Sequence, residues 1–229
     1  MTGPDERARD AAAAAAVERI EPGSAIGLGS GRAVWRTIEL ISERFGERPP
    51  LRAAFASERT RELAEVAGIE AIDLDGEVRL SVAIDGADEV DPDLGLIKGG
   101  GAALLREKIV VAAAERFVVV AETRKRVDRL GETRALPVEV VRFGWRDTRR
   151  RLLELVPRAE LRTGDAGEAV VTDEGHYLLD CDLPDYVELE RLAAAIKATV
   201  GVVEHGLFLG LAGEALLGAP DGELEVLRR

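Results

Sequence analysis

The order of strand-like and helical segments in the first half of the sequence constrains the fold more than any other feature. Short apolar segments, typical of buried strands, lie at residues 24–28, 52–56, 70–74, 81–84 and 117–121. Helical patterns lie at residues 5–20, 33–44, 58–67 and 102–114. Strands that alternate with helices in this way are typical of a parallel sheet covered by helices. We therefore predict an α/β fold class.

The second half of the sequence has a different order of elements. Strands are predicted at residues 136–143, 168–172, 177–180, 202–209, 214–217 and 224–227, and helices at residues 145–155 and 186–198. An Asp-Glu-Gly turn at 173–175 is a hairpin signal between two of these strands. We therefore predict a small α+β domain over residues 132–205. The last two strands are predicted to return to the first sheet, which makes residues 1–131 and 206–229 one domain.

The composition limits the classes of partner. Hydrophobic residues make up 46% of the chain and aromatic residues only 4%, so aliphatic side chains must build the core. A net charge of −12 disfavours nucleic acid, although a local basic pocket would still bind a small anion. The single cysteine, Cys181, excludes an intrachain disulfide. No run approaches ~20 apolar residues and the charged first segment is unlike a signal peptide, so we expect a cytoplasmic protein without membrane contact.

A glycine cluster between the first predicted strand and the next helix is a candidate anion site. Residues 27–32 read GLGSGR. Glycines allow backbone N–H groups to approach an anion, and a helix N-terminus adds positive potential. The glycine spacing differs from that of the dinucleotide-binding fingerprint. On this evidence the cluster is either a phosphate-binding loop or a tight structural turn.

Two aspartates follow the predicted strand at 81–84. Asp85 and Asp88 are separated by Gly86 and Ala87, so the two carboxylates can converge on one ligand at the carboxyl end of a strand. Further acidic residues follow, so the segment also fits a solvated acidic loop. A divalent metal is a third interpretation, but the only two histidines, His176 and His205, are distant in sequence.

A glycine triplet precedes the helical pattern at 102–114. Lys98 is followed by Gly99, Gly100 and Gly101, a run whose entropic cost indicates a constrained backbone. Glu107 lies on an otherwise apolar stripe of the following helix, between Arg106 and Lys108, which are predicted to point outward. Partial burial would raise the pKa of Glu107 towards that of a general base. The alternative is an ordinary solvated glutamate.

Lysine is rare in this sequence, and its positions are informative. Of 31 basic residues only Lys98, Lys108, Lys125 and Lys197 are lysines. Three of the four lie between positions 98 and 125, around the glycine triplet. A compact ammonium fits where a planar guanidinium does not, so this distribution indicates a constrained site.

Several long segments resemble type A ribose-5-phosphate isomerases. The central block, AIDGADEVDPDLGLIKGGGAALLREKIV, carries the strongest similarity. It continues through FVVVAETRKRVDRLG, LPVEV, VVTDEGHYLLD and GVVEHGLFLGLAGEALLGAPDG, and it covers nearly the whole chain in the same order. The resemblance implies a Rossmann-like parallel-sheet domain with an inserted smaller α+β domain. It also implies isomerisation of a sugar phosphate in the pentose phosphate pathway, without a metal or other cofactor, by a homodimer or homotetramer.

The resemblance also assigns roles to residues. It implies that Glu107 is the base that moves a proton between C1 and C2, and that Asp85 assists ring opening. Asp88 and Lys98 would line the sugar site together with Gly86 and Ala87. The remaining substrate contacts implied are Ser30, Gly31, Arg32, Ala33, Gly99, Gly100, Gly101, Lys125 and Arg9.

One segment departs from the family pattern. The phosphate loop of the family typically reads GTGST, whereas Gly29 to Ala33 here read GSGRA, so two hydroxyl residues are replaced by Arg32 and Ala33. Three alternatives therefore stay open beside ribose 5-phosphate isomerisation. They are isomerisation of another aldose or aldose phosphate, sugar-phosphate sensing without catalysis, and coenzyme A transfer through a glutamate nucleophile. The Lys98–Glu107 block favours isomerisation. The helix predicted at residues 5–20 is followed directly by the first strand, which leaves no room there for the helix-turn-helix of a repressor.

Overall fold

A seven-stranded sheet organises the larger part of the chain in the computed structural model, which describes residues 3–185 and 188–229. Its strand order is β14-β13-β7-β4-β1-β2-β3, and every neighbouring pair except β13–β14 is parallel. The strands of this sheet are β1 (Ala25–Leu28), β2 (Arg52–Phe55), β3 (Glu70–Ala71), β4 (Val82–Asp85), β7 (Phe117–Glu122), β13 (Glu214–Gly218) and β14 (Leu224–Arg228). The predicted α/β class is confirmed, and the last two strands do return to this sheet.

Helices cover both faces of the sheet. Helices α1 (Pro4–Val17), α2 (Arg32–Phe45) and α3 (Glu58–Val66) share one apolar core with it, and α4 (Leu104–Ala112) packs on the other face. One face of the alanine run of α1, with Ala12, Ala13 and Ala16, is buried, which lets this helix lie close to α2, β7 and β13. At Gly218 a Cβ would lie 1.8 Å from the Ala8 carbonyl oxygen, so only glycine permits this approach.

The direction of strand addition reverses between β1 and β4. From β1 the chain adds β2 and β3 on one side, whereas β4 and β7 lie on the other side. In open α/β sheets such a reversal leaves a crevice at the carboxyl ends of the strands, where ligands bind. The residues that follow β1 and β4 therefore meet at one edge of the sheet.

A second, four-stranded antiparallel sheet has the order β11-β8-β10-β9. Its elements are β8 (Leu136–Val140), α5 (Trp145–Leu152), β9 (Ala159–Leu161), β10 (Tyr177–Cys181), α6 (Leu189–Ala198) and β11 (Val202–His205). All lie within the range 132–205, and their apolar side chains form a separate core. We propose on this basis that 132–205 is the smaller domain. The first two residues of the predicted helix 186–198 lie outside the described residues.

Two strand predictions in this region are wrong. Residues 168–172 form only isolated bridges, Thr163 with Ala169 and Val171 with Tyr177, because the segment pairs with a different neighbour at each end and forms no continuous ladder with either. The predicted strand 202–209 is divided at Gly206, where a Cβ would lie 2.1 Å from the Lys98 carbonyl oxygen. Its second part, β12 (Leu207–Phe208), joins β6 (Leu96–Ile97) and β5 (Glu89–Val90) in a third sheet.

The helix after the glycine triplet begins later than predicted. Ala102 has a φ of +62°, a left-handed conformation that a helix does not continue through, so α4 starts at Leu104. The strained turn sets the direction in which α4 leaves the loop. In the described part of the chain, no helix has the length and apolar character needed to cross a membrane.

Candidate active site

A cavity of about 110 Å³ lies at the carboxyl ends of β1, β4 and β7. The residues that line it are Ser30, Gly31, Arg32, Ala33, Gly86, Ala87, Asp88, Lys98, Gly99, Gly100, Gly101, Glu107, Val120, Glu122 and Lys125. The structure thus brings together three clusters that are far apart in sequence. Of the predicted site residues, Asp85 and Arg9 are not among the lining residues.

A buried ammonium between two carboxylates forms the floor of the cavity. Lys98 Nζ lies 2.9 Å from Asp85 Oδ2 and 3.1 Å from Glu107 Oε2, and all three side chains are at least 94% buried. The ammonium also donates a hydrogen bond of 2.7 Å to the Gly86 carbonyl oxygen. Among the described residues, neither Asp85 Oδ2 nor Glu107 Oε2 accepts a hydrogen bond of good geometry. Glu107 also lines the cavity, so its carboxyl group combines an ion pair with Lys98 and access to a ligand.

The environment changes the protonation equilibria of all three groups. Burial raises the pKa of Glu107 to about 8, and the Asp85 carboxylate adds to the rise while Lys98 opposes it. Burial likewise raises the pKa of Asp85, against the opposing effect of Lys98. Burial works against the charge of Lys98, but the carboxylates of Asp85 and Glu107 outweigh it and raise its pKa. A carboxyl group whose pKa lies near neutral pH is suited to general base catalysis.

Asp85 contacts Lys98 but is not among the residues that line the cavity. Its Oδ1 accepts hydrogen bonds from the backbone N–H groups of Ser30 at 3.1 Å and Gly86 at 2.7 Å. A Cβ at Gly29 would lie 1.9 Å from this carboxylate, so glycine is required at that position. Asp85 therefore connects the loop after β1 to the turn after β4.

Asp88 faces a different set of partners. Its Oδ2 accepts a hydrogen bond of 2.7 Å from Gly100 N–H, and its Oδ1 lies 4.0 Å from Lys125 Nζ. The Lys125 ammonium donates a 2.6 Å hydrogen bond to the Ala87 carbonyl oxygen. Burial lowers the pKa of Lys125, whereas the nearby carboxylates of Asp88 and Glu122 oppose this effect and favour the charged ammonium. The two aspartates of the DGAD segment thus act at different places.

The loop after β1 supplies further donors to the cavity. Gly31 has a φ of +98°, which favours glycine, and α2 begins at Arg32. The first N–H groups of a helix have no intrahelical acceptor, so the N-terminus of α2 offers donors and positive potential to an anion. The Ser30 hydroxyl lies 3.2 Å from that of Ser57. The side chain of Arg32 is exposed and lines the cavity mouth.

Arg9 reaches this region through Glu122, a carboxylate that is not among the predicted site residues. Its Nη1 donates a hydrogen bond of 3.1 Å to Glu122 Oε1, and Glu122 itself lines the cavity. Although burial opposes it, the pKa of Glu122 is lowered by backbone hydrogen bonding and by Lys125, Arg124 and Arg9. The position of Glu122 at the carboxyl end of a strand is the signal that would have found it.

A metal was one interpretation of the aspartate segment. Among the described residues, no group of three or more His, Cys, Asp or Glu side chains is arranged to hold a metal ion. The cation that the carboxylates of Asp85 and Glu107 contact is Lys98. An ammonium at this place supplies the positive charge that an anionic reaction intermediate needs.

Comparison with known proteins agrees with this arrangement. The sequence model of the family described as ribose 5-phosphate isomerase A (phosphoriboisomerase A) matches residues 53–222. The ribose-5-phosphate isomerase A of Synechococcus sp. (strain JA-3-3Ab) is 43% identical, over 100% of both chains. That of Roseiflexus castenholzii (strain DSM 13941 / HLO8) is 47% identical, over 97% of this chain and 96% of its own.

Solved structures extend the similarity to the fold. A structure of D-ribose-5-phosphate isomerase in complex with phospho-erythronic acid superposes with a TM-score of 0.91. It is 33% identical in sequence, and the match covers 100% of each chain. The resemblance inferred from the sequence is therefore confirmed over the full length. The chain belongs to the ribose 5-phosphate isomerase A family.

Proposed function

We propose that this protein interconverts ribose 5-phosphate and ribulose 5-phosphate, a step of the pentose phosphate pathway. The observation that carries the proposal is the buried Glu107 carboxylate, which lines the cavity and whose Oε2 lies 3.1 Å from the Lys98 ammonium. A raised carboxyl pKa beside a fixed positive charge is the requirement for proton abstraction next to a carbonyl group.

The reaction needs one proton to move between two carbons. In the open-chain aldose, ionised Glu107 removes the proton from C2, and the electrons of that C–H bond form the C1–C2 double bond of an enediolate. Negative charge then develops on the C1 oxygen, where Lys98 and the N–H groups of the glycine triplet stabilise it. The C2 hydroxyl proton is then transferred to the C1 oxygen, which leaves the negative charge on the C2 oxygen. As the carbonyl forms at C2, the electrons of the C1–C2 double bond take the proton back from Glu107 at C1, which gives the ketose and restores the ionised base.

The two aspartates have separate roles in this proposal. Asp85 holds Lys98 charged and connects it to the loop after β1, through the contacts of Oδ2 with Nζ and of Oδ1 with Ser30 N–H. Asp88 lines the cavity and is better placed than Asp85 to exchange a proton with the sugar ring during ring opening. The ring-opening role of Asp85 that the resemblance implies is the less direct of the two.

The phosphate group would bind at the end of the cavity nearest α2. The N-terminal N–H groups of α2, the Ser30 hydroxyl and the ammonium of Lys125 are the donors available there, and the guanidinium of Arg32 lies at the rim. Arg–phosphate pairs are often bidentate, so one guanidinium can replace two hydroxyl donors. Arg9 supports this end indirectly, because it offsets the charge of Glu122.

The remaining alternatives fit these residues less well. A non-catalytic sensor has no need of two buried carboxylates that share a single ammonium, an arrangement that is costly to maintain. Coenzyme A transfer through a glutamate nucleophile does not need an ammonium such as that of Lys98, which contacts the carboxylates of both Asp85 and Glu107. Another aldose phosphate stays the second candidate, because Arg32 and Ala33 alter the loop that would contact the phosphate.

The direct test is incubation of the purified protein with ribose 5-phosphate and measurement of the ketose formed. Free ribose and arabinose 5-phosphate are the matched comparison substrates, since each changes one feature of the molecule. Turnover of ribose 5-phosphate well above both supports the proposal. Equal turnover of free ribose would contradict a phosphate-specific site, and preference for another aldose phosphate would transfer the assignment to that sugar. The cytoplasmic location and the homodimer or homotetramer stay predictions.

A further inference from the structure

An arginine of the four-stranded sheet contacts the glycine triplet of the cavity. Arg162 immediately follows β9, and its Nη1 donates hydrogen bonds to the carbonyl oxygens of Gly99 at 2.7 Å and Gly100 at 3.3 Å. The other edge of the guanidinium forms a bidentate pair with Asp180 of β10, with Nε 3.0 Å from Oδ2. The side chain of Arg162 is 16% exposed, so solvent screens these contacts only partly.

One peptide unit of the triplet is held from both sides. The carbonyl group of Gly99 and the N–H group of Gly100 belong to the same trans peptide, so they point in opposite directions. Arg162 binds the carbonyl, and Asp88 Oδ2 accepts a 2.7 Å hydrogen bond from the N–H. The two side chains together fix the rotation of this peptide about the chain axis.

The next peptide unit is held from one side only. Its carbonyl oxygen, that of Gly100, accepts the longer hydrogen bond from Arg162, and its N–H group belongs to Gly101. Among the described contacts of this loop, Gly101 N–H has no acceptor, and Gly101 lines the cavity. The hydrogen bond from Arg162 orients this carbonyl group. Because the peptide is trans, the Gly101 N–H group then points away from Arg162.

One local hydrogen bond, from Ala102 N–H to the Gly99 carbonyl oxygen at 3.1 Å, closes the loop around an unfavourable backbone conformation. Gly99 has a φ of +106° and Ala102 a φ of +62°, and the latter is unfavourable for a residue with a side chain. Three consecutive glycines have many other conformations available. An external contact is therefore needed to select one of them.

We propose that Arg162, oriented by Asp180, is a positioning residue for the isomerisation. It holds the glycine triplet in the conformation in which Gly101 N–H and Lys98 both face the reacting oxygen. The catalytic role of Arg162 rests on the function proposed above. Its effect on the conformation of the loop does not depend on that function. Arg162 thereby gives the smaller domain a role in completing the site.

The chain contains a matched control for this arginine. Arg158 immediately precedes β9, and its Nε and Nη2 form a bidentate pair with Asp182 at 2.7 and 2.6 Å. It lies beside the same outer groove as Arg162. None of its hydrogen bonds in the described structure reaches the glycine triplet. Loss of either arginine breaks one Arg–Asp pair of the sheet, but only loss of Arg162 releases the loop.

The kinetic experiment compares Arg162→Met with Arg158→Met. A misplaced donor or a misalignment of about 1 Å costs roughly 10²-fold in rate. We expect Arg162→Met to lower kcat about 30- to 100-fold with a change in KM below about threefold, and Arg158→Met to keep both near wild type. Asp180→Asn should lower kcat about 3- to 10-fold. Equal kcat values for the two methionine variants would overturn the catalytic part of the proposal.

Amide hydrogen exchange tests the structural part without any activity. The N–H groups of Gly100 and Ala102 donate to Asp88 Oδ2 and to the Gly99 carbonyl oxygen. We expect their exchange to be at least tenfold faster in Arg162→Met than in Arg158→Met, at equal thermal stability. Should Arg162→Met not fold, Arg162→Lys and Asp180→Asn provide the same comparison. If the wild-type protein lacks isomerase activity, the proposed function is wrong. The exchange experiment still tests the structural part, because it does not depend on activity. Unchanged exchange in every Arg162 and Asp180 variant would overturn the positioning role.

Discussion

Lys98 Nζ lies 3.1 Å from Glu107 Oε2 at a place where both side chains are at least 94% buried. The same ammonium is shared with Asp85, so the group carries an excess negative charge whenever both carboxylates are ionised. Burial makes that state unfavourable, and the free protein therefore keeps a proton on the pair near neutral pH. The catalytic base is active only after this proton has left.

The pH dependence of catalysis follows from this relationship. Because burial raises the pKa of Glu107 to about 8, the ionised and active fraction increases as the pH rises through this value. We expect kcat/KM for ribose 5-phosphate to increase about tenfold between pH 7 and pH 9 and then to level off, since each pH unit below the pKa reduces the ionised base tenfold. Initial rates at constant ionic strength test this. A flat profile over that range would show that Glu107 is already ionised at pH 7.

Removal of the carboxylate should remove most of the activity. Glu107→Gln retains the shape of the side chain but cannot accept the C2 proton, so we expect kcat to fall by about 10² to 10⁴ with little change in KM. Glu115→Gln, at an exposed glutamate beyond the end of α4, is the matched control and should keep normal kinetics. Near-normal turnover in Glu107→Gln would exclude this residue as the base.

The same substitution should change the dependence of stability on pH. The folded protein binds the Glu107 proton more tightly than the unfolded chain, in which the pKa is near its ordinary 4.5. The stabilisation is therefore complete below pH 4.5 and is lost as the pH rises through about 8. Denaturant unfolding at pH 5 and pH 8 should show a smaller loss of stability in Glu107→Gln than in the wild type. An equal loss in both proteins would argue against the raised pKa.

Arg32 tests whether the altered loop still binds phosphate. If its guanidinium replaces the missing hydroxyls, Arg32→Ala removes a charge-assisted hydrogen bond worth about 1.5–3 kcal/mol. The KM for ribose 5-phosphate should rise about 10- to 100-fold, while kcat falls much less because the phosphate is remote from C1 and C2. Arg48→Ala, at an exposed arginine away from the cavity, should have no effect. An unchanged KM in Arg32→Ala would leave the N-terminus of α2 and Lys125 as the phosphate contacts.

Chelation tests the role assigned to Lys98. Because its ammonium occupies the position between the two carboxylates, the proposed mechanism uses no divalent ion. Full activity is expected after prolonged dialysis against EDTA, measured in metal-free buffer. Loss of activity that Mg²⁺, Mn²⁺ or Zn²⁺ restores would mean that a metal, and not the ammonium, stabilises the enediolate.

The parts of the site that the sequence predicts correctly are those carried by local patterns. Glu107 is recognisable because it interrupts an apolar stripe of α4, and it is indeed buried. The glycine triplet and the loop after β1 are recognisable from their composition. Lys108 is not: it was predicted to point outward, but its ammonium donates hydrogen bonds to the carbonyl oxygens of His205 and Leu207. That contact depends on where the chain returns almost a hundred residues later.

Contacts between distant segments explain the other omissions. Arg162 lies 63 positions from Gly99, in a segment whose sequence has no feature other than polarity. Glu122 ends a buried strand, and its contact with Arg9 depends on how α1 packs across the sheet. The predicted strand at 168–172 does not form because its two bridges are to two different segments, at Thr163 and at Tyr177, which the local sequence does not reveal. The periodicity of a segment predicts whether it forms a helix or a strand, but not which distant segment it contacts.

Gly206 limits how the length of this protein can vary. Its N–H donates a hydrogen bond to the Pro137 carbonyl oxygen, and its own carbonyl oxygen accepts one from Lys98 N–H. Gly206 alone therefore fixes the position of the Lys98 backbone relative to β8 through these two hydrogen bonds. One residue inserted beside Gly206 would displace the backbone of Lys98 by about 3.3 Å, the rise of one strand residue. An insertion in the exposed turn at 165–167 leaves that register untouched. Loop grafting and natural insertions are therefore expected at the turn, whereas the spacing between β11 and β12 should be invariant.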